Sequence, residues 1–223
     1  MKKIIKFILK TIGWFVAGSV FLVIIFKWIP VPFTPLMGIR YIEYPDEKIS
    51  HEWIPLKEIS PYLQLAVITS EDQNFETHHG FDIEAIKKVI EKHDKNKKMR
   101  GASTISQQTA KNIFLWPGRS WVRKGFETYF TFLIELFWSK ERILEVYLNS
   151  IEMGKGIYGA QAASEYWFGK TADGLTQREA AALAAILPNP RNYSANPPTP
   201  YIQRRINWIV RQMGYYGEFD LDD

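Results

Sequence analysis

Two adjacent acids, Glu71 and Asp72, close an apolar helical run in the segment SPYLQLAVITSEDQNFETHHGFD. A helix C-terminus carries partial negative charge, so a carboxylate there is harder to ionise and its pKa moves up toward the range of a general base. A solvated pair of acids at a helix end explains the same residues equally well. His78 and His79 follow, but adjacent histidines seldom ligate one ion and no third ligand stands at a suitable spacing, so both read as structural and no metal site is expected. In GASTISQQTAKNIFL, Thr104, Gln107, Gln108 and Lys111 fall on one side of a helix. Such a face is usually just solvated, yet glutamines beside a lysine also form a donor array for an anion or a sugar. Farther on, Arg119, Arg123 and Lys124 precede Glu127, and the last two cations stand at intrahelical pairing distance from it.

These residues need a scaffold, and the helix signals are frequent. Ser60-Pro61, Asp82 before IEAIKKVI, Ser103 before TISQQTAKNIF, Ser120, Ser139 and the Thr176/Glu179 box each predict a helix start. Thr199-Pro200 opens a last helix that Gly214 is expected to close. Residues 36–60 show no sustained period and read as irregular or partly extended; Lys92 to Arg100 reads as a basic loop. Strand signals are scarce, so the fold class is mainly α.

The chain has 223 residues, which suits one ordinary domain with a real core, and no cysteine, which excludes disulfides, thiolate metal sites and a cysteine nucleophile. Its net charge of +4 would fit a nucleic-acid binder were it spread over the folded body. Lys2, Lys3, Lys6, Lys10 and Lys27 instead flank one apolar stretch, and without them the rest of the chain carries −1, so nucleic acid is not expected as a partner. Thr11 to Phe26 holds no charge; with Ile8, Leu9, Trp28 and Ile29 it reaches the roughly 20 residues a bilayer requires. No small-residue cleavage site follows, which favours an anchor over a signal peptide. The lysines place residues 1–10 in the cytoplasm, 11–29 across the membrane and the rest outside, with 30–39 a proline-rich connection and 40–223 the working domain. A membrane tether, two glutamates in separate segments and several cations between them point to glycosyl chemistry on a phosphorylated, lipid-borne sugar.

Five ordered segments carry a resemblance: EDQNFETHHGFD (71–82), GASTISQQTAKNIFL (101–115), RKGFE (123–127), KERILEVYLNSIEMGKGIYGA (140–160) and LTQREAAALAAILPNP (175–190). Together they resemble the monofunctional peptidoglycan transglycosylases of glycosyltransferase family 51, which polymerise lipid II. The resemblance implies a lysozyme-like helical domain with a small membrane-proximal lobe. It implies Glu71 as catalytic base and Glu127 as the second catalytic glutamate, with Ser103, Gln107, Gln108, Lys111, Arg119, Arg123 and Lys124 binding substrate. Asp72, Phe75, His78, Gly80, Asn112, Glu145, Asn149, Gly154 and Gly156 match motif positions of mainly structural character. Ala102 stands where many relatives have glycine and keeps the small size required there.

The implied reaction is inverting transfer from a polyprenyl diphosphate donor to the C4 hydroxyl of another lipid II, giving β-1,4-linked glycan. No tightly bound cofactor is implied, although magnesium could assist at the lipid pyrophosphate. Implied partners are lipid II, the growing glycan chain, the membrane and other cell-wall synthesis or division proteins. The implied location is the bacterial inner membrane, with the catalytic domain outside the cytoplasm. A lytic enzyme of lysozyme-like fold and a noncatalytic scaffold are the competing readings; the cations argue against the first and the retained glutamates against the second.

Overall fold

The computed structural model describes residues 2–91, 103–118, 120–217 and 221. Among the described residues ten α-helices and one small sheet run in the order α1 (Lys2–Trp28), α2 (Pro35–Glu43), β1 (Ser50–His51), α3 (Pro61–Glu71), α4 (Ile83–Glu91), α5 (Ile105–Phe114), α6 (Trp121–Phe137), α7 (Lys140–Ser150), β2 (Glu152–Gly154), β3 (Ile157–Tyr158), α8 (Ala160–Phe168), α9 (Gln177–Ile186) and α10 (Pro200–Tyr216). The mainly helical class is as the sequence leads one to expect. The expected basic loop from Lys92 to Arg100 lies outside the described residues, as does Arg119.

Local chemistry accounts for most helix starts. The hydroxyls of Ser120, Ser139, Thr176 and Thr199 each accept a backbone N–H from the first turn of α6, α7, α9 and α10. Asp82 does the same for α4 through Ala85. At α5 the cap is Thr104 and not the expected Ser103, because Gln107 is the residue that can reach back to the Thr104 N–H. Residues 36–60 hold a helix, α2, where irregular chain is expected. Its start is a Thr34 cap answered by the Met37 sulfur, with Pro35 at the first helical position. This helix also straddles the boundary expected near residue 40. The last helix runs through Gly214 and ends only at Gly217, since the face buried through Ile206, Ile209 and Met213 is continued beyond the glycine by Tyr216, which packs against the core.

The core is built where α3, α9 and α10 pack together and where α5 lies between α6 and α7. Alanines 180, 181, 182, 184 and 185 of α9 are all buried, and such short side chains let α3 and α10 approach closely. The sheet has the order β1-β3-β2, with Ser50 and His51 parallel to Ile157 and Tyr158, and β2 antiparallel to β3 through an irregular register. Gly154 lies in β2. Gly156, between β2 and β3, has φ +71°, and a Cβ there would stand 2.5 Å from the Lys48 carbonyl oxygen. The third strand position thus depends on that glycine.

α1 is not a free tether. Its Ser19 and Tyr129 of α6 share a hydrogen bond of 2.6 Å, and Phe15 packs edge-on against Phe126. At its far end Trp138 donates to the Val23 carbonyl, while Arg142 donates to the carbonyls of Phe26 and Ile29. The Phe26 and Ile29 carbonyls lie at the end of the helix, where Pro30 offers no N–H to Phe26, and so must find a partner elsewhere. Arg142 is in turn held by Glu145, whose second oxygen accepts the Leu56 N–H. Asn149 completes this face of α7 by pairing with both backbone groups of Ile54.

Candidate active site

Glu71 is the last residue of α3, and Asp72 caps that helix. The two carboxylates have different jobs. Asp72 is buried; its Oδ2 accepts the Ile105 N–H at 2.9 Å, placing negative charge at the N-terminus of α5, where the helix dipole favours it. It also accepts from His78 Nε2 at 2.9 Å. Because His78 Nδ1 takes the Gly80 N–H, the proton of the neutral ring must sit on Nε2, and the histidine is a structural donor. Gly80 has φ +84°, and a Cβ on it would lie 2.8 Å from the Thr131 methyl group. The close approach lets the Gly80 carbonyl accept from Thr104 Oγ1 at 2.7 Å, tying the loop to the cap of α5.

A second bracket holds the same loop from below. Lys140 Nζ donates to the His78 carbonyl, pairs with Glu135 at 2.9 Å and lies 4.8 Å from the ring centre of the fully buried Phe75. Ser106 donates to the same Glu135. These three residues, Ser106, Glu135 and Lys140, are positioning groups absent from the sequence reading.

Glu71 is left half-buried, facing a cleft of about 370 Å³ lined also by Asn74, Asp82, Ser103 and Trp208. Gln108 Nε2 donates to Glu71 Oε2 at 3.1 Å, and Tyr147 donates to Gln108 Oε1 at 3.2 Å, which fixes the way the amide faces. Desolvation raises the Glu71 pKa above the ordinary carboxylate value, opposed by the Gln108 hydrogen bond and by the charges of Arg205 and Lys111. The direction matches the expectation from the helix end, but burial is the leading cause. Gln107, expected among the ligand-binding donors, is buried and spent in the capping box.

One turn beyond Gln108, Lys111 and Asn112 line a second cleft, of about 390 Å³, together with Arg40, Trp116, Arg123 and Glu152. Burial lowers the Lys111 pKa, opposed by the carboxylates of Glu127 and Glu71. Lys111 therefore stands within electrostatic reach of both glutamates. Glu127 itself is 4% exposed and fully paired, with Arg123 at 2.6 Å and Lys124 on its other oxygen. Among the described residues Arg123 Nε and Arg40 Nε are enclosed without a hydrogen-bond partner, although Arg40 Nε lies 3.9 Å from the Glu152 carboxylate and the same guanidinium bonds Glu43. Arg123 thus keeps a donor for an anion entering the cleft. Arg40 was not legible as a site residue: it comes from α2, far from the other cations in sequence.

The structure thus brings together Glu71, Gln108 and Lys111 along one edge of α5, with Ser103 at the first cleft and Asn112 and Arg123 at the second, where Arg123 is held by Glu127, which also pairs with Lys124. Among the described residues no three acidic or histidine side chains converge as metal ligands. The arrangement offers a base with a raised pKa beside a cation-lined recess, which suits deprotonation of a hydroxyl next to a departing phosphate.

Residues 39–214 match the family model described as Transglycosylase. A protein of Bacteroides thetaiotaomicron named "Biosynthetic peptidoglycan transglycosylase" is 51% identical, over 98% of this chain and 90% of its own length. Relatives with the same name are 51% identical in Mannheimia succiniciproducens, covering 92% of this chain and 86% of the relative, and 50% identical in Pseudomonas entomophila, covering 97% and 94%.

Proposed function

The chain belongs to the transglycosylase family and is a peptidoglycan glycosyltransferase that polymerises lipid II, and from that premise we propose how its residues carry the reaction. The observation that supports the reading best is the half-buried Glu71, held by Gln108 on the same helix edge as Lys111. The C4 hydroxyl of an acceptor lipid II lies in the Glu71 cleft, and its oxygen attacks the anomeric carbon of the donor as Glu71 takes the proton. The bond from that carbon to the diphosphate oxygen breaks with inversion, leaving a β-1,4 linkage. The charge that grows on the leaving undecaprenyl diphosphate is met by Lys111, Arg40 and the free Nε of Arg123, with Arg119 as a further cation by family resemblance. Glu127 fixes Arg123 and Lys124 in place.

Among the described residues both oxygens of Glu127 are taken by cations and Glu152 is paired with Arg191. A magnesium ion would add charge neutralisation at the pyrophosphate, and the steps above rest on the chain's own residues.

α1 is apolar over most of its length and long enough to cross a bilayer, consistent with a single-pass anchor. The lysines at its start support an N-terminus in the cytoplasm with the catalytic domain outside it, and the family resemblance supports the bacterial inner membrane as the location. On α6, Trp121 is 92% exposed, and Val122, Phe132 and Leu136 also face outward, an apolar surface suited to lie against lipid beside α1. Lipid II and the growing chain would reach the clefts from that surface. Other wall-synthesis or division proteins are natural partners for an enzyme so placed.

The direct test is to incubate the purified full chain with lipid II and, separately, with intact sacculi. Glycan polymer and undecaprenyl diphosphate are expected from the first and no cleavage from the second; cleavage without polymer would replace the reading by a lytic one. Rate against pH should form a bell. Glu71 must be ionised, so the acid limb lies above the ordinary carboxylate range, while Lys111 must be charged, so the alkaline limb lies below that of an ordinary lysine. A rate that stays flat down to the ordinary carboxylate range would take the base role from Glu71.

A further inference from the structure

α10 presents chemistry that the reaction above leaves unused. Its Ile202, Ile206, Ile209 and Met213 are buried, while Tyr201, Arg204, Arg205 and Trp208 line an open groove of about 410 Å³ on another face. Trp208 also lines the Glu71 cleft, so the two recesses meet, whereas the groove shares no residue with the cleft of Lys111. The helix is fastened to the loop after Glu71 by a hydrogen bond from Gln73 to Gln212.

The arginines of this groove differ from others in the domain. Arg142 is spent on Glu145 and the carbonyls of α1, and Arg191 on Glu47 and Glu152. Arg204 and Arg205 have neither an ion pair nor a hydrogen bond from their side chains among the described residues, and Arg205 Nε is enclosed without a partner. A guanidinium presents a planar fork that matches a carboxylate through two parallel hydrogen bonds, and exposed Tyr and Trp rings offer flat faces to a sugar or a peptide plane.

What lies beside an acceptor sugar in the Glu71 cleft is the peptide that lipid II carries on its neighbouring lactyl group, an arm that bears free carboxylates. We propose that the groove of Tyr201, Arg204, Arg205 and Trp208 binds the carboxylates of this peptide arm on the acceptor lipid II. This rests on the reading of Glu71 as the base that faces the acceptor. The groove then selects for acceptors with an acidic peptide, while the Lys111 cleft handles the donor diphosphate.

The test uses the full chain with two lipid II preparations that differ only in the peptide carboxyls, free in one and converted to amides in the other. Wild type should show a KM about tenfold or more higher for the amidated acceptor with little change in kcat, the size expected from losing one charge-assisted contact. Arg204→Gln should bring the ratio of the two KM values to about one, and Arg204→Lys should restore part of it. Arg204 is exposed, and melting temperatures recorded for each variant should match wild type. No preference in wild type, or an equal change on both substrates in the variant, would overturn the proposal. Binding of the soluble disaccharide-peptide in both forms, measured in parallel, separates it from the enzyme reading. Carboxylate-dependent binding without polymer would support the groove and count against the polymerase, and polymer without carboxylate dependence would do the reverse.

Discussion

Glu71→Gln should lower polymerisation by about 10²–10⁴-fold, the range that a positioned general base contributes. The amide keeps the shape and can still accept from Gln108 through its oxygen, so binding of lipid II should change little. What it cannot do is take the hydroxyl proton. Stability should move the other way. Burial holds the Glu71 pKa above its unfolded value, so the ionised form is disfavoured in the fold. Stability is therefore lost as pH rises through the unfolded and then the folded pKa. A neutral amide escapes that penalty, and the variant should melt no lower than wild type near neutral pH. Near-wild-type turnover, or a loss of activity that tracks a fall in melting temperature, would remove Glu71 from the role.

Lys111→Met should cost about 10–10²-fold in turnover and in binding of undecaprenyl diphosphate, because one charge-assisted contact of about 1.5–3 kcal/mol is removed. Methionine fills the space of the lysine stem, so packing on α5 is kept. The ammonium is already disfavoured by burial, as its lowered pKa shows, and the fold should not suffer from losing it. A variant that melts early yet binds the diphosphate as wild type does would make Lys111 a structural brace between Glu71 and Glu127 and not a ligand of the leaving group.

What the sequence revealed follows the range of the interactions involved. The caps at Ser120, Ser139 and Thr176 and the Arg123 and Lys124 pairs of Glu127 join residues within one helical turn, and spacing alone places them correctly. The start of α2 is equally local but hidden, since its box uses a methionine sulfur where a carboxylate or amide is the usual signal. Gly214 looks like a helix end because glycine costs about 1 kcal/mol there relative to alanine, a penalty opposed by the packing of Tyr216 against the core one turn on. Long-range assembly left no local mark at all: Arg40 joins Lys111 only because α2 packs on α5. Gln107, by contrast, is engaged locally, in the capping box with Thr104. The raised pKa of Glu71 is legible only in part, because it comes chiefly from the packing around the carboxyl, which no helix pattern reports.

The grip of Arg142, Trp138 and Tyr129 on α1 makes anchor and domain one stiff lever. A membrane span tilts to match the thickness of the bilayer around it, and a flexible stalk would absorb that tilt. With α1 across the bilayer, as proposed, that tilt would be passed on to the catalytic domain. Thickening or thinning the bilayer would rotate both clefts relative to the plane in which lipid II diffuses, making hydrophobic mismatch a mechanical input to the enzyme. A growing glycan would likewise pull against the lipid matrix directly, with no slack segment to take up the load.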